Sequence, residues 1–110
     1  MPPRPLTDLE FMLLLATLRA GDAAYGVEIA RELERTSGRT VLLGAIYATL
    51  ERLEGAGLVR SSFGEPTPER GGRAKRYFKV TPAGIRALKE TQKAFMSLWR
   101  GIPELKGEPS

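Results

Sequence analysis

The sequence predicts a mainly α-helical domain carrying one small β-hairpin, and three observations predict it. Residues 41–59, VLLGAIYATLERLEGAGLV, set Leu43, Ile46, Leu50 and Leu53 on one stripe at helical spacing and then stop at Gly55 and Gly57. Two runs with strand-like alternation, residues 58–63 and 74–80, flank GEPTPERGG, which two prolines and three glycines keep out of regular structure. Further helical stretches begin after Thr7 and Thr81. Helix, glycine stop, apolar strand and basic segment follow one another in the order of a helix-turn-helix with a β-wing. With a last helix beyond the wing, the expectation is a winged helix-turn-helix with a C-terminal dimerisation helix.

Each element has its own local reason. Residues 1–5 hold three prolines and an arginine and read as a flexible arm. Thr7 and Glu10 make a capping box, with Leu6 and Phe11 placed as a hydrophobic staple, so a first helix starts at Asp8. That helix, DLEFMLLLATLRA, is apolar on nearly every side. Either it is a central core helix, or its second face, with Leu9, Phe11, Met12 and Leu15, is covered by another subunit. The second reading is favoured because the last helix also has a spare face. Gly21 and Asp22 break the chain, and residues 23–38 read as a supporting helix that buries Val27, Ile29, Ala30 and Leu33 and exposes ion pairs among Glu28, Arg31, Glu32 and Arg35.

Arg39, Thr40 and Val41 lead into the third helix, with Thr40 a candidate DNA contact, and the helix's outer face carries Gly44, Ala45, Tyr47, Ala48, Glu51 and Arg52. A merely solvated face is usually filled with Lys and Glu; small residues with one Tyr let something large approach the backbone. This is the arrangement in which the second helix of the motif enters a major groove. Arg52 is placed to reach a guanine edge, with Glu51 and Glu54 near enough to pair with it instead. In the hairpin, Val59, Ser61 and Phe63 share one side, and Phe78 and Val80 face the core. Arg70, Arg73, Lys75 and Arg76 line the wing, and Gly71 and Gly72 allow close approach to a sugar-phosphate strand, or simply make a turn. Thr81 and Pro82 form an N-cap and N1 pair. From there Ile85, Leu88, Gln92, Phe95 and Trp99 step by three and four as a coiled-coil seam, which with Met96 is assigned to a homodimer interface. The winged-helix domain thus covers residues 6–80, the dimerisation helix 81–102 and a polar, flexible tail 103–110.

Composition bounds the function. One domain's worth of chain, 110 residues, carries 17 Lys and Arg against 13 Asp and Glu, a net charge of +4. From Arg70 to Lys79 there are five basic residues and no acid, which is either a solvated loop or an electrostatic footprint for double-stranded DNA. There is no Cys and no His, which removes disulfides, thiol chemistry, the commonest general base and the usual metal ligands. No nucleophile and base can be paired, so an enzyme is not expected, nor is a metal or cofactor. No apolar run approaches the roughly 20 residues that span a bilayer. With no signal-like N-terminus, a cytoplasmic location is expected.

LGAIYATLERLEGAGLV followed by GGRAKRYFKVTPAG resembles the PadR family of bacterial transcriptional regulators, and AYGVEI at residues 24–29 resembles the start of that family's second helix. The resemblance runs from about Leu6 to Trp99. It implies a homodimer that represses transcription from a promoter operator. It implies that the Tyr47 phenol reaches the DNA backbone and that Arg73, Lys75 and Tyr77 belong to the wing. The position after the Tyr, often Pro in the family, is Ala48 here, and the C-terminal region is one short helix. In some small members that respond to drugs, aromatic side chains at the dimer seam bind flat hydrophobic compounds. Phe95 and Trp99 are the corresponding candidates for an aromatic or hydrophobic effector, or are packing. Two further readings stand beside this one: a winged-helix regulator of another family, and a winged-helix module that binds protein and not DNA.

Overall fold

A computed structural model describes residues 5–64 and 74–106. In chain order these form α1 (Asp8–Ala20), α2 (Gly26–Ser37), α3 (Leu43–Gly55), β1 (Val59–Phe63), β2 (Arg76–Val80) and α4 (Pro82–Trp99), with 3₁₀ turns at Gly21–Ala23 and Pro103–Leu105. The strands pair antiparallel, Val59 opposite Val80 and Ser61 opposite Phe78.

Helix α1 starts where the capping box places it. The Glu10 amide donates to Thr7 Oγ1 at 3.1 Å, and the Thr7 amide donates back to Glu10 Oε1 at 2.9 Å. Leu13 and Leu14 are fully buried among Ile29 and Leu33 of α2, Ile46, Leu50 and Leu53 of α3, and Val59, Phe78 and Val80 of the hairpin. Helix α2 begins three residues later than its sequence pattern suggests. Tyr25 is extended and Ala24 non-helical, with the Phe78 amide donating to the Ala24 carbonyl at 2.8 Å and Tyr25 bridging Tyr77, so the chain joins the edge of β2 before it coils. Glu32, expected on the exposed side, is nearly buried, where Arg35 and Arg19 offset its charge.

The end of α3 is set by Gly57, whose φ of 77° is a left-handed turn that the Leu58 amide closes onto the Leu53 carbonyl at 2.9 Å. Ile46, Leu50 and Leu53 of its apolar stripe are buried, but Leu43 is not, and Leu42 before it is 81% exposed. The first turn of α3 therefore stands clear of the core. Phe63, grouped with Val59 by strand parity, is also exposed.

Helix α4 is capped by Thr81, which accepts from the Gly84 amide at 3.1 Å and donates its own hydroxyl to the Gly57 carbonyl at 2.6 Å. Gly84 and Leu88 pack into the domain. From Gln92 onward every described residue of the helix is exposed, Phe95 at 65%, Leu98 at 76% and Trp99 at 53%. No helix among the described residues is long and apolar enough to cross a membrane.

Candidate nucleic-acid interface

The outward ridge of α3 is built from what it lacks. Gly44, Ala45, Ala48 and Gly55 are exposed, and a Cβ at Gly44 or Gly55 would meet no atom within 4 Å. The α3 backbone can thus be approached along its whole outer side. The exposed charged side chains at the ridge and its flank are Glu51 and Arg52.

Tyr47, placed by periodicity on the outer face, lies on the flank. It is half-buried against the core, and its ring fills the space over Gly26 so completely that a Cβ there would overlap the phenol. This explains a glycine as the first residue of α2. Arg52, its side chain 54% exposed, has a carboxylate neighbour other than Glu51 and Glu54. Its guanidinium donates to Thr49 Oγ1 at 3.2 Å and stands 3.8 Å from the carboxylate of Glu10, which is completely buried. The two carboxylates expected to compete for Arg52 are engaged elsewhere, by the wing.

That engagement fastens helix to hairpin. Arg76 of β2 reaches Glu51 Oε1 at 2.5 Å and Glu54 Oε1 at 2.7 Å. Glu54 in turn accepts from the Ser61 amide at 3.0 Å and the Ser61 hydroxyl at 2.8 Å. Hydrogen bonding from Ser61, and then the Arg76 charge, hold the Glu54 carboxyl below the ordinary glutamate value of 4.5. Arg76 also lies over the Phe78 ring, 5.0 Å from its centre. Of the other predicted wing residues, Lys75 sets its ammonium 4.2 Å above the Tyr25 ring, and Tyr77 packs edge-on against Tyr25 with centroids 5.6 Å apart. Arg70, Arg73, Gly71 and Gly72 lie outside the described residues.

Thr40, before α3, donates to Glu34 Oε2 at 3.1 Å. Its neighbour Arg39 crosses to Asp8 at 3.0 Å, and this hydrogen bond lowers the Asp8 carboxyl below its ordinary value. Three further residues of the hairpin and its support were not singled out by sequence. Tyr25 supports the wing from the start of α2; its signal is the AYG segment. Arg60 and Lys79 face each other directly across the hairpin, both exposed. Like charges so placed oppose pairing and suit a surface that meets an anion. No described cluster of carboxylates is arranged to hold a metal ion.

The residues predicted for a subunit interface differ in burial. Leu88 is buried and Ile85 half-buried in the chain's own core, so neither has much surface to offer a partner. Leu9, Phe11 and Met12 are half-buried, with the Phe11 ring centre 6.5 Å from that of Phe95. Leu15, Gln92, Phe95, Met96 and Trp99 are exposed, and Leu18, Leu98, Ile102 and Leu105 extend the same apolar character beyond the predicted set.

A three-helix core, a bare-ridged helix and a hairpin buttressed against it define the winged helix-turn-helix class. Within that class, the model of the transcriptional regulator PadR-like family matches residues 14–90, and the chain belongs to that family. It is 38% identical over 83 residues to Transcriptional regulator Rv3488 of Mycobacterium tuberculosis, covering 76% of this chain and 73% of that one. The structure of a PadR-like transcription factor from Bacteroides fragilis superposes with a TM-score of 0.69 at 28% identity over 82% of each chain. A transcriptional regulator from Clostridium thermocellum shares the fold, with a TM-score of 0.71 at 23% identity over 90% of each chain.

Proposed function

We propose that this PadR-like regulator is a repressor that binds a pseudo-palindromic operator as a homodimer. Each copy lays α3 into a major groove and sets its wing against neighbouring phosphates. The observation that carries this reading is the exposed ridge of Gly44, Ala45, Ala48 and Gly55. A solvated helix gains nothing from such a surface, whereas a helix that must bring its backbone close to base edges needs it. The net charge of +4, the exposed Arg60 and Lys79 and the half-buried Lys75, joined by Arg70 and Arg73 of the basic run, supply phosphate contacts.

Support for a dimer comes from α4. Its second half carries Phe95, Leu98 and Trp99 into solvent, and clustered exposed apolar side chains of this kind mark interaction sites. A second copy covering it aims two α3 helices at half-sites spaced by about one helical turn or a multiple of it. Repression is then occlusion of the promoter. A planar aromatic effector seated between Phe95 and Trp99 of the two copies would change the distance between the recognition helices and release the operator.

The test is a gel shift of the full chain against its own upstream DNA, with Ala48→Glu as the main variant. Ala48 is exposed, so the new side chain costs no packing, yet it sets a charge against phosphates and base edges. Like-charge contacts of this kind cost several kcal/mol, so binding should weaken by roughly 100-fold with an unchanged melting temperature. Unweakened binding by Ala48→Glu, and by Arg73→Ala combined with Lys75→Ala, would overturn the assignment of this face. For the effector, titration with a planar aromatic cation should quench the single Trp99; unchanged fluorescence and melting would count against it.

A further inference from the structure

We propose that Glu51 reads a base: its carboxylate accepts from the exocyclic amino group of a cytosine in the major groove, and Arg76 is the positioning residue that holds it there. This rests on the operator-binding reading above. Gly44, Ala48, Glu51 and Gly55 recur at four, three and four residues and form the outermost line of α3. Three of them have almost no side chain. Glu51, with its side chain 57% exposed, is the group on that line long enough to touch a groove floor that the other three allow to come near.

A bare carboxylate so placed would be repelled by the flanking phosphates. Arg76 removes that obstacle. One nitrogen of its guanidinium meets Glu51 Oε1 at 2.5 Å, while the other is anchored to Glu54 at 2.7 Å. Glu54 is itself fixed by the Ser61 amide and hydroxyl, and the Phe78 ring lies beneath the guanidinium. Arg76 is therefore held by a frame that does not depend on Glu51, and it offers Glu51 a fixed neutralising partner. Among the described residues, Glu51 Oε2 has no partner, and a carboxylate has lone pairs to spare. Of the four base edges in the major groove, only cytosine presents an amino donor without an adjacent acceptor; guanine and the thymine carbonyl repel a carboxylate, and adenine sets N7 beside its amino group. Glu51 is not needed as a strut, since Glu54 already joins α3 to both strands, and an exposed pair adds little to that.

The experiment is selection from a randomised duplex library with the full-length wild type, Glu51→Gln and Glu51→Ala, each followed by competition binding on single-pair operator variants. The wild type should enrich a motif with cytosine at one position per half-site and lose about 5- to 150-fold in affinity when that pair is replaced. Glu51→Ala should lose the preference at that pair and keep it elsewhere. Glu51→Gln keeps the side chain's size and a carbonyl for Arg76, and should shift the preference at that pair towards adenine, the base that a carboxamide pairs with best. A motif unchanged in both variants, or a uniform weakening at every position, overturns the proposal while leaving operator binding intact. A wild type that enriches no motif overturns operator reading itself.

Discussion

Gly84 decides how α4 leaves the domain, and Gly84→Ala measures it. A Cβ at this position would overlap the Leu58 carbonyl oxygen and come 2.7 Å from Val80 Cγ1, inside the 3.0 Å that real Cβ atoms essentially never show. The oxygen is backbone at the start of the hairpin and already accepts from the Thr81 amide at 3.0 Å, so it cannot swing aside as a side-chain tip would. Accommodation requires α4 to back away from β1. Overpacking of this kind costs about 1–3 kcal/mol. The strained Thr81–Leu58 hydrogen bond adds about 1 kcal/mol. Replacing a helical glycine returns at most about 1 kcal/mol. The net loss is about 1–3 kcal/mol, or roughly 5–15 °C in melting temperature for a domain of this size. The assay is thermal denaturation by circular dichroism at one fixed protein concentration, since association would itself move the midpoint. Gly44→Ala is the contrast. It lies in a helix with open space around it and should raise the midpoint by a few degrees or leave it unchanged. A Gly84→Ala protein that melts within about 2 °C of wild type would refute the packing argument.

Other perturbations follow from the same contacts. Because Ser61 and Arg76 lower the Glu54 pKa, the stability that its carboxylate contributes is complete above the ordinary value of 4.5 and is lost as pH falls through the lower, folded-state value. Glu54→Gln should therefore flatten the acid limb of a plot of melting temperature against pH, with Asp8 and its Arg39 partner leaving a residual slope of the same sign; an unaltered limb would contradict the assignment. Leu98→Asp, at one of the most exposed apolar side chains of α4, should leave the fold intact and convert any dimer seen by analytical ultracentrifugation to monomer, with operator binding lost in parallel. A variant that stays dimeric places the interface elsewhere. Gly26→Ala should loosen the Tyr47 ring from the start of α2 and lower the melting temperature, read by the same thermal assay; no change would mean that the ring has room to move.

Much of this architecture was legible because local signals and tertiary demands agree. The Thr7–Glu10 box, Gly57 and the Thr81–Pro82 pair mark their boundaries by backbone chemistry alone, and the hydrogen bonds they predict are present. The start of α2 was not legible in this way. Nothing in the composition of residues 23–25 opposes a helix; Ala24 and Tyr25 stay out of it where they meet β2, some fifty residues later, whose Phe78 amide bonds to the Ala24 carbonyl. The site shows the same division. Its small-residue ridge was visible as composition at helical spacing. Which carboxylate faces which arginine was not, because Arg76 lies 22 residues from Glu54 and reaches it only once β2 has folded back.

Covalent order along the chain therefore determined where each helix and strand can begin and end, which stripe of each is apolar, and that one helix would offer a nearly bare outer side. Those properties depend on neighbours within a turn or two, and periodicity records them directly. Only the tertiary structure decided that Arg52 turns to Glu10, that Arg76 takes Glu51 and Glu54, that Tyr47 covers Gly26, and that Leu88 is spent inside while Trp99 is not. Each of these is a choice among partners of similar chemistry, and distance in three dimensions, which no spacing in one dimension encodes, makes the choice.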